Sequence, residues 1–221
     1  MRIKMLVFSL IATITIIDAD LVFQETRSMA KSGDRTAQFQ LAGMYHHGIG
    51  TSQNIDKAIK WYRSSAEQRY SKAQLSLGMI FFQGKVIAQN FEKSLHWWKL
   101  SAKQNDPISQ FMLAMMYYTA KGIDQDYSEA INWFTKAARL GHTEAAYKLG
   151  IIHFKGEGMM KDSVKSYMWF YISDVLGRKG VKDVLDEFNQ ELSADQINIG
   201  TKMAKRWIER YSQRMKTRET N

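Results

Sequence analysis

The sequence predicts an all-α protein built as a stacked helical repeat, on three observations. First, Trp61, Trp97, Trp133 and Trp169 are evenly spaced, at 97 − 61 = 36 residues per step. Second, other columns keep that register without a gap: Leu41, Leu77, Leu113 and Leu149; Ala37, Ala73, Ser109 and Ala145; and the small residues Ala42, Gly78, Ala114 and Gly150. Third, the chain has one proline and no alternating valine- and threonine-rich runs, which favours helices over strands. Self-similarity at a fixed period of a few tens of residues marks a unit that buries its apolar face on its neighbour.

The elements follow in order. Arg2 and Lys4 precede Met5–Ile17, a stretch without charge, and Asp18-Ala19-Asp20 follows. A basic start, a short apolar run and a polar exit describe a secretory signal peptide over 1–19, with an uncleaved anchor as the alternative. Residues 20–36 read as a degenerate leading helix, because Ala30 and Gly33 match the end of a second repeat helix. Four repeats occupy 37–72, 73–108, 109–144 and 145–180. In each, helix A carries the Ala, Leu and small-residue columns on one side and closes on glycine: Gly48-Ile49-Gly50, Gly84, Gly122, then Gly156 and Gly158. Ala120 stands where a glycine is expected, which predicts a different turn in the third repeat. Helix B opens on Asn54, Asn90, Asp126 or Asp162, each able to accept from a first-turn amide. It ends before Gly33, Arg69, Asn105, Gly141 and Gly177, a series suited to a left-handed cap. Asp106-Pro107 opens the third helix A with a cap and a first-turn proline. Residues 181–215 hold a partial repeat, with Val181 and Leu185 in register, and a basic cap helix entered through the Ser193/Gln196 capping box. A tail covers 216–221.

The pattern A-x-x-x-L-[GA]-x-x-[YF]-x-x-G, followed by [ND]-x-x-K-[AS]-x-x-W-[YWF]-x-x-[SA]-A, resembles Sel1-like repeats, bacterial relatives of tetratricopeptide repeats. Ala37–Tyr45 followed by Asn54–Tyr62 carries the match most fully, and the likeness extends from about Ala37 to Arg210. It implies a right-handed α/α solenoid of four 36-residue helix-turn-helix repeats with flanking partial repeats and a C-terminal cap helix. It also implies an adaptor or scaffold, often exported. One branch of the family has cysteine-paired repeats and β-lactam hydrolysis. This chain has no cysteine, which sets it apart from that branch and excludes disulfides, thiol nucleophiles and thiolate metal sites.

Composition bounds the function. A hydrophobic fraction of 45% in 221 residues supports a packed core. Net charge is +9, and Lys202, Lys205, Arg206, Arg210, Arg214, Lys216 and Arg218 crowd the end. That cluster reads as the solvated face of a cap helix, or else as a footprint for an anionic surface; with no nucleic-acid motif, nucleic acid ranks last among partners. No nucleophile elbow, zincin, phosphate-loop or dinucleotide fingerprint is present, so the reading is non-catalytic, with no catalytic residues, cofactor or metal. His46 and His47 are adjacent, so their directions diverge along the helix and no i+4 carboxylate joins them. The 124–129 segment lacks the glycine and distant glutamate of a calcium loop. The tryptophan column reads as core, each ring buried on the next repeat. One column stays open between inter-repeat packing and an apolar recognition groove: His46, Phe82, Tyr118 and Phe154, with Gln83, Thr119 and Lys155 beside it and Met79, Met115 and Ile151 nearby. The expected partner is a protein or peptide on the concave helix-A face. The expected location is periplasmic or secreted, with inner-membrane tethering and membrane contact through either terminus as the alternative. A cell-wall or β-lactam hydrolase is the rival in the enzyme class.

Overall fold

The computed structural model describes residues 19–219, with side chains through Gln213; the expected signal segment therefore lies outside the described residues. Among the described residues there are eleven helices and no strand. Helix α1 covers residues 19–31. The A helices of the four repeats are α2 (Arg35–His47), α4 (Ser71–Gln83), α6 (Pro107–Thr119) and α8 (Thr143–Lys155), and the B helices are α3 (Ile55–Glu67), α5 (Phe91–Lys103), α7 (Tyr127–Ala138) and α9 (Ser163–Val175). Helices α10 (Lys182–Glu191) and α11 (Ala194–Glu219) close the chain. The helices form two compact units that meet in sequence within α5, after Ser101.

Local chemistry sets the boundaries. The side chains of Asn54, Asn90, Asp126 and Asp162 each accept from the amide three residues on, at 2.8–2.9 Å. Asp106 does the same for Ser109 ahead of Pro107, and Ser193 and Gln196 bond reciprocally. The five expected left-handed positions, Gly33, Arg69, Asn105, Gly141 and Gly177, all have φ between 62° and 101°. The third A–B turn corrects an expectation. Ala120 itself takes the left-handed conformation (φ 56°) and donates to Met116 O, as Gly48, Gly84 and Gly156 do to their own helices. The cap geometry outweighs the Cβ cost, which is about 1–2 kcal/mol.

A second correction concerns the tryptophans. Trp169 is buried, but Trp61, Trp97 and Trp133 are half-buried at the edges of their clusters. The enclosed rings lie one position later: Tyr62, Trp98, Phe134 and Phe170. One step along a helix turns a side chain by about 100°, and that turn aims the later column at the small residues of helix A. A Cβ on Gly78 would strike the Trp98 indole, and one on Gly150 the Phe170 ring. The approach alternates between repeats. Where helix A has glycine, helix B has a serine bonded to its carbonyl: Ser94 to Gly78 (2.6 Å) and Ser166 to Gly150 (2.8 Å). Where helix A has Ala42 or Ala114, helix B has Ala58 or Ala130.

Polar side chains tie helix ends together in register. Ser65, Ser101 and Ser173 on B helices donate to the first residue of their own A helix, Arg35, Ser71 and Thr143. Gln38, Gln74 and Gln110 donate back to Ala30, Ala66 and Ala102 near the end of the preceding helix. At the start, Phe23 of α1 meets Tyr45 edge-on at 5.4 Å. At the end, α10 sets Phe188 against Phe170, and α11 lies on α9 through Trp207 against Trp169 at 5.6 Å, with Ala204 fully buried. Lys202, Lys205, Arg206 and Arg210 remain exposed on the outer side of α11. No helix among the described residues is long and apolar enough to cross a membrane.

Candidate functional site

The first unit carries a pocket of about 300 Å³ between α2 and α4, lined by His46, His47, Tyr62, Leu75, Ser76, Met79, Ile80 and Gln83. Its floor is the apolar side of α4, and its rim is polar. His46 and His47 sit in the last turn of α2, with their rings stacked 4.7 Å apart and 10° from parallel. Gln53 fixes this corner by donating to the His46 carbonyl at 2.7 Å. Burial, and then the neighbouring His47, hold the His46 imidazole below its ordinary range. The Tyr62 ring meets His46 edge-on at 6.3 Å, and burial pushes its hydroxyl pKa up.

The other residues of the predicted column stand apart from this pocket. Phe82 packs on Phe91 and Trp98 of its own repeat. In the second unit, Tyr118 lies edge-on to Tyr127 and Phe134 and donates to the Glu157 carboxylate at 2.8 Å. Burial and that hydrogen bond raise its pKa to about 12. Lys155 pairs with Glu157 from its exposed position at 3.6 Å. Phe154 is 39% exposed and leans on Phe188 of α10, beside a smaller pocket of about 90 Å³. Gln83 and Thr119 are exposed. The structure therefore brings His46 and Gln83 together in one pocket, and it holds Phe82, Tyr118 and Phe154 by ring contacts to other helices.

Sequence reasoning missed Tyr62 as part of this site, and it missed Gly43, where an added Cβ would meet the Tyr62 hydroxyl at 3.8 Å. The signal for Gly43 was available: it occupies the position of Met79, Met115 and Ile151 and breaks that apolar column. Tyr62 gave no signal, because its column reads as core in every repeat. Among the described residues, no group of three or more histidine, aspartate or glutamate side chains is placed to hold a metal ion.

The geometry of capped helix pairs in a 36-residue register has a match among known families. The Sel1 repeat model matches residues 35–70, 71–106, 107–142 and 143–173, well over half of the chain. The protein belongs to the Sel1 repeat family, whose repeats as a class mediate protein–protein interaction. A Sel1 repeat protein from Oxalobacter formigenes superposes with a TM-score of 0.67 at 22% identity, over 83% of this chain and 84% of that one. A sel1 repeat protein from Klebsiella pneumoniae subsp. pneumoniae gives 0.51 at 19% identity, over 86% and 98%. In sequence, the sel1-like repeat-containing protein L18 of Acanthamoeba polyphaga mimivirus is 49% identical over 45 residues, which is 20% of this chain and 8% of that relative.

Proposed function

We propose that the protein is an exported, non-catalytic scaffold that captures a protein partner on the faces of its A helices. The observation that carries this reading is the pocket between α2 and α4. It is open, has an apolar floor and a polar rim, and is large enough for a partner's side chain. His46 and Gln83 are its contact residues in this proposal, and Phe82, packed on Phe91 and Trp98, is proposed as a further contact of the same unit outside the pocket. Tyr118, Thr119, Phe154 and Lys155 are proposed as contacts made by the second unit on its own account. Export is supported by Arg2 and Lys4 ahead of the uncharged Met5–Ile17.

A photo-crosslinking residue placed at the exposed positions Gln83, Thr119 and Lys155, compared with exposed Lys60 on helix α3, tests the face in cells. The expected result is a crosslinked partner from the A-helix positions and none from Lys60; adducts from Lys60 alone would place the partner elsewhere. N-terminal sequencing of the mature chain checks export, with cleavage after Ala19 expected. Purified protein is expected to leave muropeptides and a chromogenic β-lactam unchanged.

A further inference from the structure

Beside the pocket, next to the Tyr62 hydroxyl, the first repeat lacks a side chain that the others have. Gly43 sits in the middle of α2, where glycine weakens a helix relative to alanine. Unlike Gly78, it is not demanded by close packing. A Cβ there would meet only the Tyr62 hydroxyl, at an ordinary contact distance of 3.8 Å. The equivalent residues Met79, Met115 and Ile151 are large and apolar. Glycine at this position leaves the space above Tyr62 open.

What that opening exposes is a hydrogen-bond donor. Tyr62 is only 5% exposed, lines the pocket, and its hydroxyl has no hydrogen-bond partner among the described residues. The hydroxyl is not among the buried unpaired atoms; it opens on the pocket, where an acceptor of a ligand can replace the water that meets it. The His46 and His47 rings also have no side-chain hydrogen bond among the described residues, and they stand on the same rim with the Gln83 amide. Neither α2 nor α4 contains a carboxylate; their fully charged residues are Arg35 and Lys72. The lining therefore offers hydrogen-bond donors and no negative charge above an apolar floor of Leu75, Met79 and Ile80.

We infer that this pocket receives a glutamate or aspartate side chain of the partner, its carboxylate on the Tyr62 hydroxyl and the histidine pair, with a neighbouring apolar residue of the partner on the α4 floor. The inference rests on the proposed role of the helix-A face and adds the chemistry of the anchor.

The test is an NMR titration of the whole chain with two amidated peptides, acetyl-Leu-Glu-Leu-amide and acetyl-Leu-Gln-Leu-amide, following the Tyr62 and imidazole signals. The Glu peptide is expected to bind about fivefold or more tightly than the Gln peptide, the gain of a charged over a neutral hydrogen-bond acceptor. Tyr62→Phe is expected to reduce that preference. Gly43→Met, which rebuilds the side chain found in the second and third repeats, is expected to abolish binding of both peptides while the unfolding midpoint holds or rises. Equal affinity for the two peptides would overturn the carboxylate assignment and leave the proposed face standing. Absence of binding by either peptide would remove both. Unchanged binding by Gly43→Met would place the ligand outside the pocket, and concentration-dependent shifts without peptide would put a second copy of the chain there instead.

Discussion

The first and second repeats use one register in opposite ways. In the second, the Trp98 ring is fully enclosed, its Nε1 donates to Leu75 O at 3.3 Å, and it presses on Gly78 where no Cβ would fit. In the first, Tyr62 occupies the same column, but its hydroxyl is unpaired among the described residues, and Gly43 leaves the space above it open. One position is committed to packing and its equivalent is kept accessible. A repeat protein can specialise a single unit for recognition in this way, because each unit's stability depends mostly on itself and its neighbours.

The comparison breaks first at the rings. Trp98→Ala should cost about 3–5 kcal/mol, the range for emptying an enclosed aromatic site. Trp97→Ala, one residue earlier on a half-buried ring, should cost about 1–2 kcal/mol. Tyr62→Phe should change stability by less than about 0.5 kcal/mol, since it deletes an unpaired hydroxyl. Urea unfolding of the three variants measures these values. A Trp97→Ala loss as large as that of Trp98→Ala would return the core to the tryptophan column.

The two mid-helix glycines give a smaller contrast, of opposite sign. Gly78→Ala drives a Cβ into the Trp98 indole and should destabilise by about 1–3 kcal/mol, as overpacking does. Gly43→Ala meets only ordinary contact and should stabilise by about 0.5–1 kcal/mol, from helix propensity and reduced unfolded-state entropy. Thermal melts separate the two. A loss at Gly43→Ala would mean that glycine there serves the fold, and the pocket would then be incidental.

Periodicity made the fold legible, because every repeat spends the same residue types on the same tasks. The capping Asn and Asp residues, the left-handed series through Arg69 and Asn105, and the Ser193/Gln196 box could all be read before any coordinate, since caps depend on local chain geometry. The tryptophan spacing identified the period correctly, but of the rings it marked as core Trp169 is buried and Trp61, Trp97 and Trp133 are half-buried. A constant interval shows that a position recurs; whether it faces the partner helix or the rim depends on a rotation of one residue that spacing does not record. The site was less legible for a related reason. Columns average the repeats, and the pocket lies beside the place where the first repeat departs from its column, at Gly43. The unpaired Tyr62 hydroxyl is a three-dimensional fact with no trace in the spacing.

The smallest expected effect lies in the fourth repeat and extends the comparison to a third use of a shared position. His153 occupies the column of Tyr45, Phe81 and Tyr117, is 7% exposed, and its Nδ1 has no partner among the described residues. Burial, and then the Lys165 ammonium, hold its imidazole below the ordinary 6.5, against an opposing pull from Asp162. The folded state therefore binds fewer protons than the unfolded state. Stability from this residue is complete above about pH 6.5 and is lost as pH falls through that value toward the lower folded pKa. His46 and His142 are displaced in the same direction by burial and add to the trend. The share belonging to His153 is isolated by His153→Phe, which copies the residue of the second repeat. That variant should lose less stability between pH 7.5 and pH 5 than the natural chain, as measured by urea midpoints at each pH. Parallel pH profiles for the two proteins would show that His153 gains its proton without leaving the core, and would sink this account of its burial.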